Sequence, residues 1–488
     1  MNKTIFYRFI IIVILSHTPG LLAAQELNIT DLIRGSLESN PDVTAAEADE
    51  ISQYSRYQAD LKNALPGIEF TTDTGNNPLY SYSNASKVER HKTSGGLNLS
   101  YNLPTGGTLG LSGTGSLDVS RAEGDEQWEY RINPGASLYL RQPLFIDRVE
   151  GSLLRADLSN MAEELSRIKW EQAEYNRLSA ENRIVFQVLQ GSLTYNRLKR
   201  TYDLQKRRLA LAESRLELII QDEAAGKISR IDRIAEELLL RRQREGVLEL
   251  QYQIKSSARE LENLTGLKDI TGPEILFEGS PNLDTPSVRA DESIGVLLSE
   301  AAKRSLEIAG IAVQNGREPV LEVSGFIKNS PGEGFPDDGS PDFQTAFDTT
   351  LNSEIDLSVS LALSIPLLDW GRAAKTREAE AAAIEASAMR VEAAKGGAEL
   401  QILSVLERID LIDDKLKLLE SGLEYDRSLI EREQVRRASG LSSDLEVETV
   451  SIDMQDRINQ IDQLEGEKLL AKMELLNIGG KSLKVFFR

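Results

Sequence analysis

The stretch "EIDLSVSLALSIP", residues 354–366, decides the fold. In an extended chain Ile355, Leu357, Val359, Leu361, Leu363 and Ile365 fall on one face, and Glu354, Asp356, Ser358, Ser360, Ala362 and Ser364 on the other. This period-two alternation is longer than the ~9–11 residues a tilted transmembrane strand needs. "LEVSGFIKN" (321–329) is a partner of the same kind across the loop that begins "SPGEGF", and "LNLSYNL" (97–103), "TLGLSGTGSLDVS" (108–120) and "ASLYL" (136–140) alternate likewise in the first half. At most six such segments stand beside about three hundred residues of helical pattern, too few for a soluble sandwich. Nor can six strands close a membrane barrel, for which the smallest single-chain examples use ~8. Lipid tolerates no open sheet edge, so strands of this kind in a membrane require several chains to share one barrel.

Outward from the strands the sequence repeats itself. "SLYLRQPLF" (137–145) matches "SLALSIPLL" (360–368), and each is followed by a long helical run, a glycine turn at Gly226 or Gly440, a second helical run and a glycine stop at Gly266 or Gly479. The helical runs carry a seam with alternating steps of four and three. In the first it passes through Ile184, Val188, Gly191, Tyr195, Leu198, Tyr202, Gln205, Leu209, Ala212, Leu216 and Ile219. In the second it passes through Ile402, Val405, Ile409, Ile412, Leu416, Leu419, Leu423, Asp426 and Ile430. An alternation this long is the heptad pattern of a coiled coil.

The turns "AAGKISRIDRIAEE" (224–237) and "RRASGLSSDLEVET" (436–449) share one arrangement. Gly226 and Gly440 suit the left-handed residue after a helix end. Ser229 with Asp232, and Ser443 with Glu446, fit an N-cap hydroxyl and an acid at the third helical position, facing the positive end of the helix dipole. Each turn therefore reads as the tip of an antiparallel helical hairpin. Up to ~80 residues at ~1.5 Å rise make an arm of roughly 110–120 Å.

The bulk composition narrows the function. The chain has no cysteine and two histidines, His17 and His91, among its 488 residues, which removes thiolate metal sites, disulfides and a cysteine nucleophile. No glycine-rich phosphate loop or nucleophile elbow stands in the right context, so an enzyme is not expected, nor a metal or cofactor. Residues 1–24 read as a signal peptide: Lys3 and Arg8, then the apolar "FIIIVIL" (9–15), then "GLLAA" before Gln25. Its removal takes the 56 Lys+Arg to 54 against 77 Asp+Glu, moving the net charge from −21 to −23, which argues against nucleic acid as a partner. His91, then the only histidine left, is assigned no role.

These residues bring a family into view. The chain resembles the TolC-type outer-membrane efflux proteins, or outer membrane factors, through "LNITDLIRGSLESNPDVTAAEADE" (27–50), "QPLF" (142–145), "IPLLDWGR" (365–372), the two tips and the duplication. The resemblance implies a mostly α protein with a β-barrel part, a homotrimer whose strands share one barrel in outer-membrane lipid and whose helices form a tunnel through the periplasm. It implies a passive conduit that meets a periplasmic adaptor and serves an inner-membrane pump. The expected division is a first repeat at 25–267 (strands about 66–145, hairpin about 147–266), a linker at 268–292, a second repeat at 293–480 (strands about 319–366, hairpin about 370–479) and a tail at 481–488.

By the same resemblance Asp232, Glu446 and Glu448 are candidates for the periplasmic entrance, and Gly226, Lys227, Ser229, Gly440, Ser442 and Ser443 for adaptor contact. Helix-dipole stabilisation is an equal reading of Asp232 and Glu446, and compatible with the first. Asp369 and Arg372 read as a structural joint between strand and helix. Three departures from the pattern are expected: a longer first ascending arm, a short helix before the second strand set (306–319), and an additional β-hairpin around "PTGG" (104–107), either accessory to a twelve-stranded trimeric barrel, the preferred reading, or part of a larger sheet. The main rival is a periplasmic adaptor, which has one helical hairpin and usually an anchor; a filament-forming coiled coil leaves residues 354–366 unexplained.

Overall fold

The computed structural model describes residues 27–62, 65–83, 86–103, 107–122, 128–145, 157–268, 270, 272, 274–277, 285–315, 320–329, 355–364 and 371–487. The signal segment, the Asp369 joint and the long loop after residue 329 lie outside them. The elements in chain order are α1 (Ile29–Ser39), α2 (Pro41–Lys62), β1 (Gly67–Ser83), β2 (Ser86–Asn102), β3 (Thr108–Ala122), β4 (Glu129–Phe145), α3 (Asp157–Ala224), α4 (Arg230–Thr265), α5 (Ile294–Asn315), β5 (Val320–Asn329), β6 (Ile355–Ser364), α6 (Arg372–Ala438) and α7 (Asp444–Ile478). They divide into two compact units, one of residues up to 47, 176–296 and 395–488, the other of residues 48–175 and 297–394. Each unit draws on both sequence repeats.

The second unit holds one six-stranded antiparallel sheet in the order β1-β2-β3-β4-β5-β6. Every strand pairs with its neighbour in sequence, so the alternation of each strand carries to the next in register: Phe70 faces Leu97, Leu99 faces Leu111, Leu111 faces Leu138, Leu138 faces Ile327 and Ile327 faces Leu357. The hairpin around residues 104–107 is not an accessory. β2 and β3 lie between β1 and β4 as full members, because their apolar residues continue the same face. In the same unit Tyr57 stacks on Trp170 with ring centroids 5.7 Å apart, and Arg304 Nη2 reaches Glu171 Oε2 at 2.7 Å, tying α2 and α5 to the start of α3.

The first unit is helical. Its main core gathers Ile29, Leu32 and Ile33 of α1, Ile184, Val188 and Tyr195 of α3, Leu261 of α4, Met473 of α7, and Leu483 and Phe487 of the tail. Part of the linker is pinned to it: Asn196 accepts from the Ile275 amide at 2.8 Å and donates to its carbonyl at 2.8 Å, and the Tyr195 hydroxyl donates to the Gly272 carbonyl. The seam residues face inward as their spacing requires, with Val188 and Tyr195 at 0% exposure and Val405, Ile409 and Ile412 at 3–4%. The contacts order the four long helices α4-α3-α7-α6. Tyr202 and Glu213 of α3 meet Gln251 and Arg244 of α4, Arg207 and Arg208 of α3 meet Glu448 and Asp456 of α7, and Asp426 of α6 meets Arg457 of α7.

One expected departure is corrected. The helix before the second strand set is not short: α5 and α2 have 22 residues each, because no proline interrupts the helical pattern from Ile294 to Asn315. Within the described residues α3 has 68 residues and α6 has 67; the residues ahead of each helix, on which the expected difference in arm length falls, lie outside them.

Gly191 sits where the α3 seam meets α4, and a β-carbon there would come within 2.9 Å of Leu261 Cδ2. Gly191→Val is expected to overpack this crossing, at a cost of ~1–3 kcal/mol. Thermal unfolding would show a lowered midpoint; an unchanged one would mean that Leu261 has room to retreat.

Candidate functional site

Both hairpin tips are built alike. α3 ends in a Schellman turn, with the Lys227 amide bonded to the Asp222 carbonyl at 2.9 Å, the Gly226 amide to Glu223 at 2.9 Å and Gly226 at φ 71°. At the second tip the Leu441 amide bonds to Arg436 at 2.8 Å and the Gly440 amide to Arg437 at 2.9 Å, with Gly440 at φ 72°. Only glycine takes these left-handed angles at little cost. Three residues further on, Ser229 and Ser443 cap α4 and α7 in complete capping boxes. The Asp232 amide donates to Ser229 Oγ at 3.3 Å and the Ser229 amide to Asp232 Oδ2 at 3.1 Å; the Glu446 amide donates to Ser443 Oγ at 3.2 Å and the Ser443 amide to Glu446 Oε2 at 2.7 Å.

The expected entrance acids are thus engaged in local structure. Bonds from the Ser229 side chain and amide hold the Asp232 carboxyl below its usual range; the Ser443 amide and the Ser442 hydroxyl do the same for Glu446. Glu448 does not join them. It points to α3, where Arg207 Nη2 lies 2.9 Å from its Oε1 and also reaches Ser451. Among the adaptor-contact candidates, Lys227 pairs with Asp222 at 2.9 Å, and Gly226, Lys227, Ser229, Gly440 and Ser443 are exposed.

The second tip contains a group that the sequence reading passed over. Glu433 of α6, 6% exposed, receives Arg436 Nη1 at 3.0 Å, Arg432 Nη2 at 3.1 Å and the Ser442 hydroxyl at 3.0 Å. Ser442 Oγ also lies 2.8 Å from Glu446 Oε2, so one hydroxyl stands between two carboxylates. Burial works against the charge of Glu433, but Ser442, Arg432 and Arg436 outweigh it and hold its carboxyl below the usual range. Seven residues before it, Asp426 takes the Arg457 guanidinium at 2.6 Å. The signal for both was present in the seam: positions 405, 412, 419, 426 and 433 recur every seven residues, and the last two are acids.

The other feature is the sheet's apolar face. Ile68 and Phe70 of β1, Leu97 and Leu99 of β2, Leu109 and Leu111 of β3, Leu138 and Leu140 of β4, Ile327 of β5, and Ile355, Leu357, Val359, Leu361 and Leu363 of β6 are all exposed, the β6 residues by 57–72%. A soluble monomer rarely shows so continuous an apolar surface. The opposite face is mainly polar apart from the Tyr139–Phe326 ring contact, with Ser112 bonded to Ser137 and Ser324 to Ser360, both at 2.6 Å, and Arg141 forked onto Glu322 at 2.7 and 2.9 Å. No helix among the described residues is long and apolar enough to cross a membrane.

The fold built from the long helical hairpins and the amphipathic sheet is shared with solved structures of outer-membrane proteins. The chain matches CusC, whose transmembrane channel formation has been described, with a TM-score of 0.61 at 12% identity over 93% of this chain and 92% of that one. It matches the outer membrane protein VceC of Vibrio cholerae with a TM-score of 0.61 at 13% identity over 93% and 97%, and the CmeC outer membrane channel of Campylobacter jejuni with 0.59 at 12% over 93% and 86%. At such identities the likeness is one of fold. Residues 340–481, which include α6, the second tip and all of α7, match the outer membrane efflux protein family. Family pattern and fold bear out the resemblance to the TolC-type outer-membrane efflux proteins and support an outer-membrane localisation. No curated relative matches the chain.

Two outcomes are expected at the tips. Ser443→Ala removes the cap acceptor of α7, worth ~1 kcal/mol, and amide exchange over residues 444–447 is expected to accelerate by roughly fivefold. For pH, Asp232, Glu433 and Glu446 have lowered carboxyl pKa values, so their stabilisation is complete above the unfolded carboxylate range of about 4 and is lost as pH falls through the lowered folded values. Exchange at both tips should therefore hold constant from pH 7 to about 5, after correction for intrinsic rates, and rise in stronger acid.

Proposed function

We propose that this chain is the outer-membrane channel of a tripartite efflux or type I secretion system, assembled as a homotrimer and conducting substrates passively from a periplasmic adaptor and inner-membrane pump to the exterior. The observation that carries this reading is the exposed apolar face spanning all six strands, with a polar face behind it. Such a sheet suits lipid on one side and a water-filled lumen on the other. Its strands are too few to close alone, and further copies of the chain supply the rest.

The helices support the same assembly. α4 and α6 lie at the two flanks of the four-helix array, and each carries an exposed apolar stripe at coiled-coil spacing: Ile231, Ile234, Leu238, Leu248 and Tyr252 on α4, and Leu411, Leu418 and Tyr425 on α6. The α4 stripe of one copy against the α6 stripe of the next is a head-to-tail contact, the kind that closes rings. In this assembly the tips form the periplasmic entrance and meet the adaptor, with Lys227, Ser229, Ser442 and Ser443 in reach of it and Asp232 and Glu446 at its rim. Opening loosens the hairpins near the tips, where the α6 seam carries Asp426 and Glu433 in place of apolar residues.

The acidic balance gives the sharpest test. In planar bilayers the open channel is expected to prefer cations, read as the reversal potential in a salt gradient. Anion preference, or a protein that fractionates as a soluble periplasmic monomer, would contradict the proposal.

A further inference from the structure

We propose that the β2–β3 hairpin belongs to the barrel wall, so that each copy contributes six strands and three copies close an eighteen-stranded barrel, β1 of one copy joining β6 of the next. This rests on the three-copy membrane reading given above and selects the larger sheet over the twelve strands that the sequence favoured.

Pairing supports the hairpin's place. β2 pairs with β1 over residues 86–100, with one shift of register between Gly75 and Leu79, and with β3 over residues 88–102, and β3 pairs with β4 over residues 108–120, so β1 and β4 have no direct contact as strands. Its chemistry agrees. Leu97, Leu99, Leu109 and Leu111 continue the exposed apolar face without a gap, and a hairpin standing in water beside a barrel would have no use for it. Asn98 and Ser112 continue the polar face, and Ser112 bonds to Ser137 of β4. The hairpin therefore follows the same two-sided rule as the rest of the sheet.

Direction and edge chemistry identify the occupant of the open edges as a second copy. Six is an even number of antiparallel strands, so β1 and β6 run in opposite directions and their junction is antiparallel like every other in the sheet. Edges meant to stay open usually carry proline or lysine; the described β6 has neither, and β1 has no lysine and one proline, Pro78, in the half nearest the β1–β2 turn. At ~4.8 Å between strands and a tilt of ~40°, eighteen strands give a backbone diameter of roughly 36 Å, against roughly 24 Å for twelve. The exit at the cell surface is correspondingly wide.

The absence of cysteine makes the test clean. Leu99→Cys, Leu111→Cys and Leu361→Cys, each labelled with an environment-sensitive fluorophore in full-length protein that keeps its detergent-resistant assembly, are placed in phosphatidylcholine vesicles containing spin-labelled lipid. The hairpin sites are expected to be quenched within about twofold of Leu361. Quenching of Leu361 alone overturns the hairpin's place in the wall while leaving the membrane sheet intact; quenching of none of the three overturns the membrane reading as well. Oxidation of Thr71→Cys paired in turn with Ser358→Cys, Ser360→Cys and Ala362→Cys, all on the polar face, is expected to give a ladder ending at three chains. A ladder ending at two, or no cross-link in any pair, overturns the eighteen-stranded closure.

Discussion

A backbone amide or carbonyl in hydrocarbon must find a partner within the protein, and the rest of this structure depends on that constraint. An antiparallel sheet satisfies every strand except the two at its edges, and here those are β1 and β6. The side chains offer no escape into water: one face is apolar from Ile68 through Leu363, and a slip of one residue in any strand would turn its leucines to the polar side. The sheet is thus fixed in register by its own alternation and is incomplete in a single chain. In the proposed membrane setting, the need for other copies follows from a count of strands together with the nature of lipid.

The helical unit meets a different constraint. A long hairpin must hold its register over many turns, and the seam does so with small or apolar residues where helices cross closely, as at Gly191 against Leu261 and Gly466 against Leu193. Toward the second tip the seam changes character. Asp426 and Glu433 occupy successive heptad positions and hold arginines in place of the leucine and isoleucine packing further up. Removing one partner of a buried ion pair costs ~3–5 kcal/mol; the Asp426–Arg457 pair falls below that range because Arg457 is a third exposed. Such contacts are directional and exchangeable with water, whereas apolar packing is not. In the proposed channel the tip is therefore the part that reorganises, while the upper arm keeps its packing.

Much of this was legible in the sequence because it rests on period. Alternation of two marked residues 355–363 as a two-faced strand, and alternation of three and four marked the inward residues of α3 and α6, including Val188, Tyr195, Val405 and Ile409. Gly226 and Gly440 announced the turns, and Ser229 and Ser443 the caps, since few other residues satisfy those backbone demands. Less legible was anything set by which helix lies beside which. Glu448 was placed with the tip acids by its distance along the chain, but its partner, Arg207, lies on α3, more than two hundred residues away in sequence. The length of α5 was misjudged because its start was set at Leu306 and not at Ile294, and the hairpin at 104–107 was set aside because sequence alone does not say which strand a strand will choose.

The central claim is that the free edges of β1 and β6 are closed by neighbouring copies within a membrane. Amide hydrogen exchange on the assembly in lipid nanodiscs, resolved by strand, tests it most directly. The account predicts that β1 and β6 exchange as slowly as β3, which is paired on both sides. Fast exchange confined to β1 and β6, with β2 to β5 protected, would mean an open sheet and would contradict it.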